Sequence, residues 1–311
     1  MSGAGHRVGR AVSIGGGHGA ARTLVALRSL ADEVVAVVTV ADDGGSSGRL
    51  RRDLDVLPPG DLRMAITALA HRQRLAEVIA YRFPRGELGG HSLGNLILVA
   101  LQDLHGGDLV AALDELSMHL GVAGRVLPCT TQPVTLAART ASGGVSGQAA
   151  IQATARLERV WLEPEGPPAT PAAVQALVTA ELIVLGPGSL YTSLIPNLLV
   201  PDIAAAVARS SAPVVLVANL REQPGETEGM DLRDHLDALA LHVPDLTVDV
   251  LVVHDGPAPR GPGRALTAPQ DPGRTVGRVL RADLLDGEGS GDGHDPAALA
   301  AALSGVLDSV G

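Results

Sequence analysis

The chain has no lysine; arginine and histidine are its only basic side chains, a bias of composition rather than a functional signal. It has one cysteine, Cys129, so no disulfide can form within the chain, and a reducing compartment is expected. Aromatic residues make up 1% of 311 positions (Tyr81, Phe83, Trp161 and Tyr191), so a core must be built from Leu, Val, Ile and Ala. No apolar run comes near the roughly 18 residues that a membrane-spanning helix needs. The amino-terminal stretch has too short an apolar segment for a secretory signal, and a cytoplasmic location is expected. The net charge is −10, which argues against a chain built to hold nucleic acid. The arginines that do cluster, Arg49, Arg51 and Arg52, suit a small anion.

What is present is an alternation of apolar strands and helical periods. Ala11–Ile14 is a short apolar run, broken by Gly15-Gly16-Gly17-His18-Gly19 and followed by leucines and alanines at helical spacing. Val34–Val40, 181–185, 213–218 and 248–253 read as further strands, continuously apolar as in a sheet covered on both faces. The spacing predicts an α/β fold: a doubly wound, mostly parallel Rossmann-like sheet with inserted helices and a small antiparallel β addition. The chain is expected to form one domain over 1–311. Within it, 124–162 holds short alternating runs that read as a β subdomain or sheet extension.

Four polar or glycine-rich loops, at 15–19, 41–48, 186–189 and 219–226, each follow an apolar strand. If the strands are parallel, all four lie on one sheet edge, where such folds bind ligands. The first turn has neither dinucleotide-fingerprint spacing nor the Lys-Ser/Thr of a Walker loop. No redox cofactor is therefore expected, although glycines ahead of a helix let amides approach a phosphate. Asp42 and Asp43 can hold Mg²⁺ bridging phosphates, supply a general base, or simply cap a turn. Ser46, Ser47 and Arg49 beside them favour a functional reading. Asp61, after Pro58-Pro59-Gly60, is expected to cap a helix. His91 and Asn95 can face one ligand or serve helix capping. Thr130 and Thr131 are either phosphate or sugar-hydroxyl contacts or ordinary strand residues. Gly186-Pro187-Gly188-Ser189 resembles an anion-binding turn, and Asn219 is a polar group on the next loop. No zinc spacing and no nucleophile elbow are present.

The segments GGGHG, TVADDGGSSGRLRRDLDVLPPGDLR, GGHSLGNL, GRVLPCTT, LGPGSLYTSLIPNLLVP and NLREQPGETEG occur in that order. Together they resemble the YvcK-type gluconeogenesis factors, within the superfamily of the CofD-like 2-phospho-lactate transferases, over about residues 8 to 308. The resemblance implies that Gly15–Gly19 and Gly186–Ser189 hold phosphates, with Asn197 further along the segment LGPGSLYTSLIPNLLVP as another ligand contact. It also implies that Asp42 and Asp43 match the acidic site that holds metal or acceptor in the transferase. His18 stands where Thr is usual, Glu228 and Met230 where Asp and Tyr are more frequent, and 256–275 does not follow the pattern. Two readings follow. One is a regulator that binds a nucleotide sugar resembling UDP-N-acetylglucosamine and links carbon metabolism to cell-envelope synthesis and cell shape, acting through envelope regulatory proteins or as a homo-oligomer. The other is a Mg²⁺-dependent transferase moving phospholactate from a nucleoside-diphospho-lactate donor to a deazaflavin.

Overall fold

The computed structural model describes residues 7–257, 259–285 and 293–310. Among them the strands are β1 (Val8–Gly15), β2 (Ala31–Val38), β3 (Gly124–Pro128), β4 (Thr135–Thr140), β5 (Gly143–Ser146), β6 (Leu157–Glu163), β7 (Leu182–Leu185), β8 (Val214–Val217), β9 (Val248–His254) and β10 (Val276–Ala282). Seven form one sheet in the order β10-β9-β8-β7-β1-β2-β3, with every neighbouring pair parallel. The other three form an antiparallel sheet, β5-β4-β6.

The central strands are apolar without interruption because both faces are covered. Every residue of β7 and β8 is buried, as are Val34–Val38 of β2. The chain steps from β1 through β2 to β3, then returns to the far side of β1 and steps out to β10. Right-handed crossovers then fix the helix layers. One face carries α1 (Gly17–Leu27), α2 (Gly45–Leu54), α3 (Gly60–Leu69), α4 (Gln73–Ala80), α5 (Leu93–Leu104) and α6 (Leu109–Leu120). After a short helix in the insertion, α7 (Gln148–Gln152), the other face carries α8 (Pro171–Val178), a π-helical turn (Leu190–Leu194), α9 (Ile195–Leu198), α10 (Pro201–Arg209) and α11 (Leu232–His242). The last helix, α12 (Pro296–Val310), returns to pack on α1. No single helix among the described residues is long and apolar enough to cross a membrane.

Local chemistry explains the helix starts. Pro171 and Pro201 sit where a missing amide costs nothing. Asp108 accepts the Ala111 amide, and Asp231 with Asp234 forms a capping box. Two expectations change. Residues 124–128 join the main parallel sheet beside β2, rather than the antiparallel addition. As an edge strand, β3 is covered only along part of its length, so it lacks the continuous apolar run of its neighbours. Residues 148–152 form α7 instead of a strand, and the addition narrows to β4–β6.

Candidate functional site

The direction of winding reverses between β1 and β7, which opens a crevice at their carboxyl ends. β8, β7, β1 and β2 are consecutive in the sheet, so the four loops expected to converge do so. At the reversal, the β1–α1 and β7 turns touch through glycines. A side chain at Gly19 would collide with the backbone carbonyl of Pro187, and one at Gly16 with Asp61 Oδ2. Gly17 adopts φ 68°, the left-handed conformation that favours glycine.

Asp61 lies inside the first turn of α3, whose N-cap is Pro59 with no side-chain cap. Its expected capping role therefore falls away. Pro59 is already helical in conformation, so the chain enters α3 before Asp61 and leaves the carboxylate free to reach across. There it accepts the Gly17 amide at the start of α1. Burial, with added repulsion from Asp42, pushes its pKa up to about 7. Asp42 Oδ1 accepts the Gly44 amide at 2.9 Å, the Ser47 hydroxyl also bonds its carboxylate, and burial raises its pKa.

Asp43 turns the other way. Its Oδ1 accepts the Ala149 amide at 2.8 Å, in the first turn of α7, and so anchors the insertion. The facing acids are thus Asp42 and Asp61, not Asp42 and Asp43. With Met64, Gln148, Ser189 and Ser193 they line a cavity of about 370 Å³.

A second cavity of about 670 Å³ lies toward β8, bordered by Arg22, Arg221, Arg260, Asn219 and His294. His18, Gly19, Gly188 and Gln223 border both cavities, so the two form one groove. One end carries the carboxylates of Asp42 and Asp61; the other carries three guanidiniums against the single carboxylate of Glu222, which the Gly229 and Arg264 amides already occupy. Arg22 donates to the His294 carbonyl at 2.9 Å, and Arg221 holds the 259–263 loop through the carbonyls of Pro259, Pro262 and Gly263.

The β7 turn is heavily engaged by the protein itself. The Gly188 amide donates to Asn219 Oδ1 at 3.0 Å, and Asn219 Nδ2 returns a bond to the Gly188 carbonyl at 2.8 Å. Gln223 Nε2 donates to Ser189 Oγ at 2.8 Å, which leaves the Ser189 hydroxyl hydrogen free to donate. The carbonyl of Gly186 accepts the Thr23 hydroxyl. The amides of the following π-helical turn go to Glu226, which accepts from Leu190 and Tyr191 and from the Thr192 hydroxyl. Burial lifts the Glu226 pKa to about 7. Asn197 is also a holder: its Nδ2 donates to the carbonyls of Gly15 (3.2 Å) and Ser193 (2.7 Å), tying β1 to the π-helical turn.

Other expected residues gather elsewhere. Asn95 Nδ2 donates to Ser46 Oγ, Ser46 meets His91 Nδ1 at 3.0 Å, and Arg63 Nε donates to Asn95 Oδ1 at 3.1 Å. Ser46 Oγ thus accepts from Asn95 and keeps both a lone pair and its hydrogen for His91 Nδ1, the direction of that bond following the ring's tautomer. Burial and the nearby Arg49 lower the His91 pKa, in keeping with a neutral ring. This buried hub joins α2, α3 and α5 and borders neither cavity. Ser47 accepts the Gly60 amide, Arg49 donates to the Gly89 carbonyl, and Thr130 accepts the Gln132 amide. Thr131, three residues beyond β3, is exposed and borders neither cavity. Arg22, Arg221, Arg260 and Gln223 were not singled out by the sequence. The His18–Arg22 spacing, one turn along α1, was the signal available for Arg22.

The family model for the 2-phospho-L-lactate transferase CofD matches residues 11–267, and the chain belongs to that family. Several relatives of this chain are named gluconeogenesis factors. A gluconeogenesis factor of Listeria monocytogenes is 41% identical over 255 residues, covering 81% of this chain and 79% of that one. Proteins named provisionally as gluconeogenesis factors are 46% identical in Mycobacterium tuberculosis (95% of this chain, 89% of the relative) and 45% identical in Deinococcus radiodurans. This chain is covered to 96% by the Deinococcus match but spans 66% of that relative's length. The crystal structure of a UPF0052-family protein of Bacillus halodurans superposes with a TM-score of 0.86 at 33% identity, covering 96% of this chain and all of that one.

Proposed function

We propose that the groove binds a nucleotide sugar of the UDP-N-acetylglucosamine type, and that binding makes this protein a regulator linking carbon metabolism to cell-envelope synthesis and cell shape. The observation carrying this reading is the groove's two-ended chemistry. Guanidiniums match a diphosphate in charge and geometry. Carboxylates at the other end accept hydrogen bonds from sugar hydroxyls. Between the two ends, the first-turn amides of His18 and Gly19 have no intrahelical partner and lie at the positive end of α1. Gly17 is not among the free donors, because Asp61 occupies its amide. The names of the relatives support the metabolic setting.

A second reading, a Mg²⁺-dependent phospholactate transferase, is favoured by one specific observation. Asp42 and Asp61 face the same cavity, and Asp42 adds repulsion to Asp61. Two such carboxylates fit Mg²⁺, which keeps several waters and is commonly shared between one or two carboxylates and substrate phosphates. Among the described residues no group of three or more His, Cys, Asp or Glu gathers as a self-sufficient metal cluster. When bound, the ion would neutralise phosphate charge; the chain's own part is to hold the two carboxylates apart and to orient the Ser189 hydroxyl.

Calorimetry with UDP-N-acetylglucosamine, UDP and GDP, each with and without Mg²⁺, separates the readings. Saturable binding of the UDP-sugar without turnover is expected. Product formation from a nucleoside-diphospho-lactate donor and a deazaflavin would replace the first reading with the second, and no binding of any of the three nucleotides would remove both.

A further inference from the structure

The outer face of the insertion sheet carries an arrangement that the groove does not use. Arg139 on β4 and Arg159 on β6 are directly opposite in the antiparallel register, and both are exposed. Opposed residues of this kind hold their Cβ atoms about 5 Å apart, and like charges there are destabilising. On its other side Arg139 faces Gly144 of β5, which has no side chain to cover or neutralise it. No carboxylate among the described residues lies within ion-pair distance of either guanidinium. Trp161, two positions along β6 from Arg159, points to the same face by strand alternation. Arg139, Arg159 and Trp161, with Glu165 at the rim, border a surface depression of about 400 Å³. The indole Nε1–H is already given to Glu163 at 3.0 Å, so the ring offers its flat apolar surface.

A chain with so few aromatics thus sets its single tryptophan, half-exposed, beside two unneutralised arginines. Tryptophan and arginine are the residue types most enriched where protein interfaces concentrate their binding energy. We propose that this face docks an acidic peptide segment of a partner protein, with carboxylates placed between Arg139 and Arg159 and an apolar part laid on Trp161. Charge complementarity selects the occupant: an anion between the guanidiniums removes a repulsion present in the free protein. Glu165 at the rim and Glu163 on the indole confine an anion to the span between the two guanidiniums, which a peptide carboxylate fills and the continuous phosphate backbone of a nucleic acid strand overruns. The face is open and formed by a sheet surface, which suits a peptide better than an enclosed small molecule.

Because Trp161 is the only tryptophan, indole emission reports on this face alone. The probe is a capped, non-aromatic peptide of alternating glutamate and leucine, titrated into the full chain at low salt, with inorganic phosphate and an oligothymidylate in parallel arms. A saturable emission change with the peptide is expected, weakened by added salt. The single variants Arg139→Ser and Arg159→Ser should each bind roughly fivefold more weakly or worse, and the double variant should show no saturable change. The same variants should keep or raise the melting temperature, because each removes a like-charge contact. A fall in melting temperature would give the pair a structural role and overturn the proposal. So would an undiminished response in the double variant, no saturable response to the peptide, or an equal response to phosphate or the oligonucleotide.

Discussion

The two glycine turns at the reversal of the sheet look alike in sequence and differ in what their acids do. Each precedes a helical segment, and each places a carboxylate on that segment's first amides: Asp61 on Gly17 after β1, Glu226 on Leu190 and Tyr191 after β7. Burial raises both to about 7. Glu226 is wholly enclosed and bonded by two amides and a hydroxyl, so it acts as an internal plug for the second turn. Asp61 has one amide, a neighbouring acid and a wall of the groove. Equal pKa values therefore do not mean equal roles. The surroundings of the carboxylate decide: saturated by donors in one case, open to a ligand in the other.

The strongest way to break the comparison is at the plug. Glu226→Ala leaves buried amides unpaired and a void, and should cost about 3 kcal/mol or more in denaturant unfolding. Glu226→Gln, which keeps an acceptor, should cost about 1 kcal/mol or less. Equal losses in the two variants would show that the charge itself matters.

Asp61, raised by burial as Glu226 is, adds a dependence on pH whose sign the two carboxyls share. A carboxylate whose folded pKa is raised stabilises the fold fully below its ordinary value near 4, and loses that contribution as the pH climbs through about 7. Asp61→Asn should therefore stabilise the protein above pH 7, by about 2 kcal/mol once the partial exposure of the carboxylate to the groove is allowed for. The advantage should vanish near pH 4, as melting temperatures across that range would show. An unchanged difference at every pH would remove the raised Asp61 pKa, and with it both the burial and the repulsion from Asp42 that cause it.

At the cationic end, Arg260→Ser should weaken UDP-N-acetylglucosamine binding about tenfold, some 1.4 kcal/mol, and leave the melting temperature unchanged, because its side chain holds no hydrogen bond or ion pair among the described residues. Calorimetry at two salt concentrations checks this. The smallest effect is expected at Asp43. Asp43→Asn should lose about 0.5–1 kcal/mol of stability with the Ala149 amide bond, and leave any Mg²⁺ dependence of binding intact. Asp42→Asn should abolish that dependence. Matching responses in the two variants would restore the pairing that the sequence implied.

These residues also show where sequence reading stops. The parallel sheet and its four converging loops were legible because doubly covered strands need unbroken apolar runs. β3 was not, since an edge strand covered along only part of its length has as short an apolar run as a hairpin strand, and only its partner decides. Asp42 and Asp43 read as a pair because they are adjacent, yet neighbouring side chains on an extended backbone leave in opposite directions. Asp61 read as a cap because acids in first turns often are caps; its reach to Gly17 depends on the path of another loop. Ser46, His91 and Asn95 have the polar types of a ligand site, and only burial reveals a structural hub. Arg260 lies in a loop without periodicity, where sequence carries no information about position.

The split of Asp42 and Asp43 has a thermodynamic consequence. One residue faces the groove; the next, through a single peptide unit, tethers α7, and α7 supplies Gln148, Ala149 and Gln152 to the wall of the same cavity. Ligand and insertion therefore share a coupling free energy. Whatever affinity a bound molecule gains from a correctly seated α7, the seating of α7 gains from the bound molecule in equal measure.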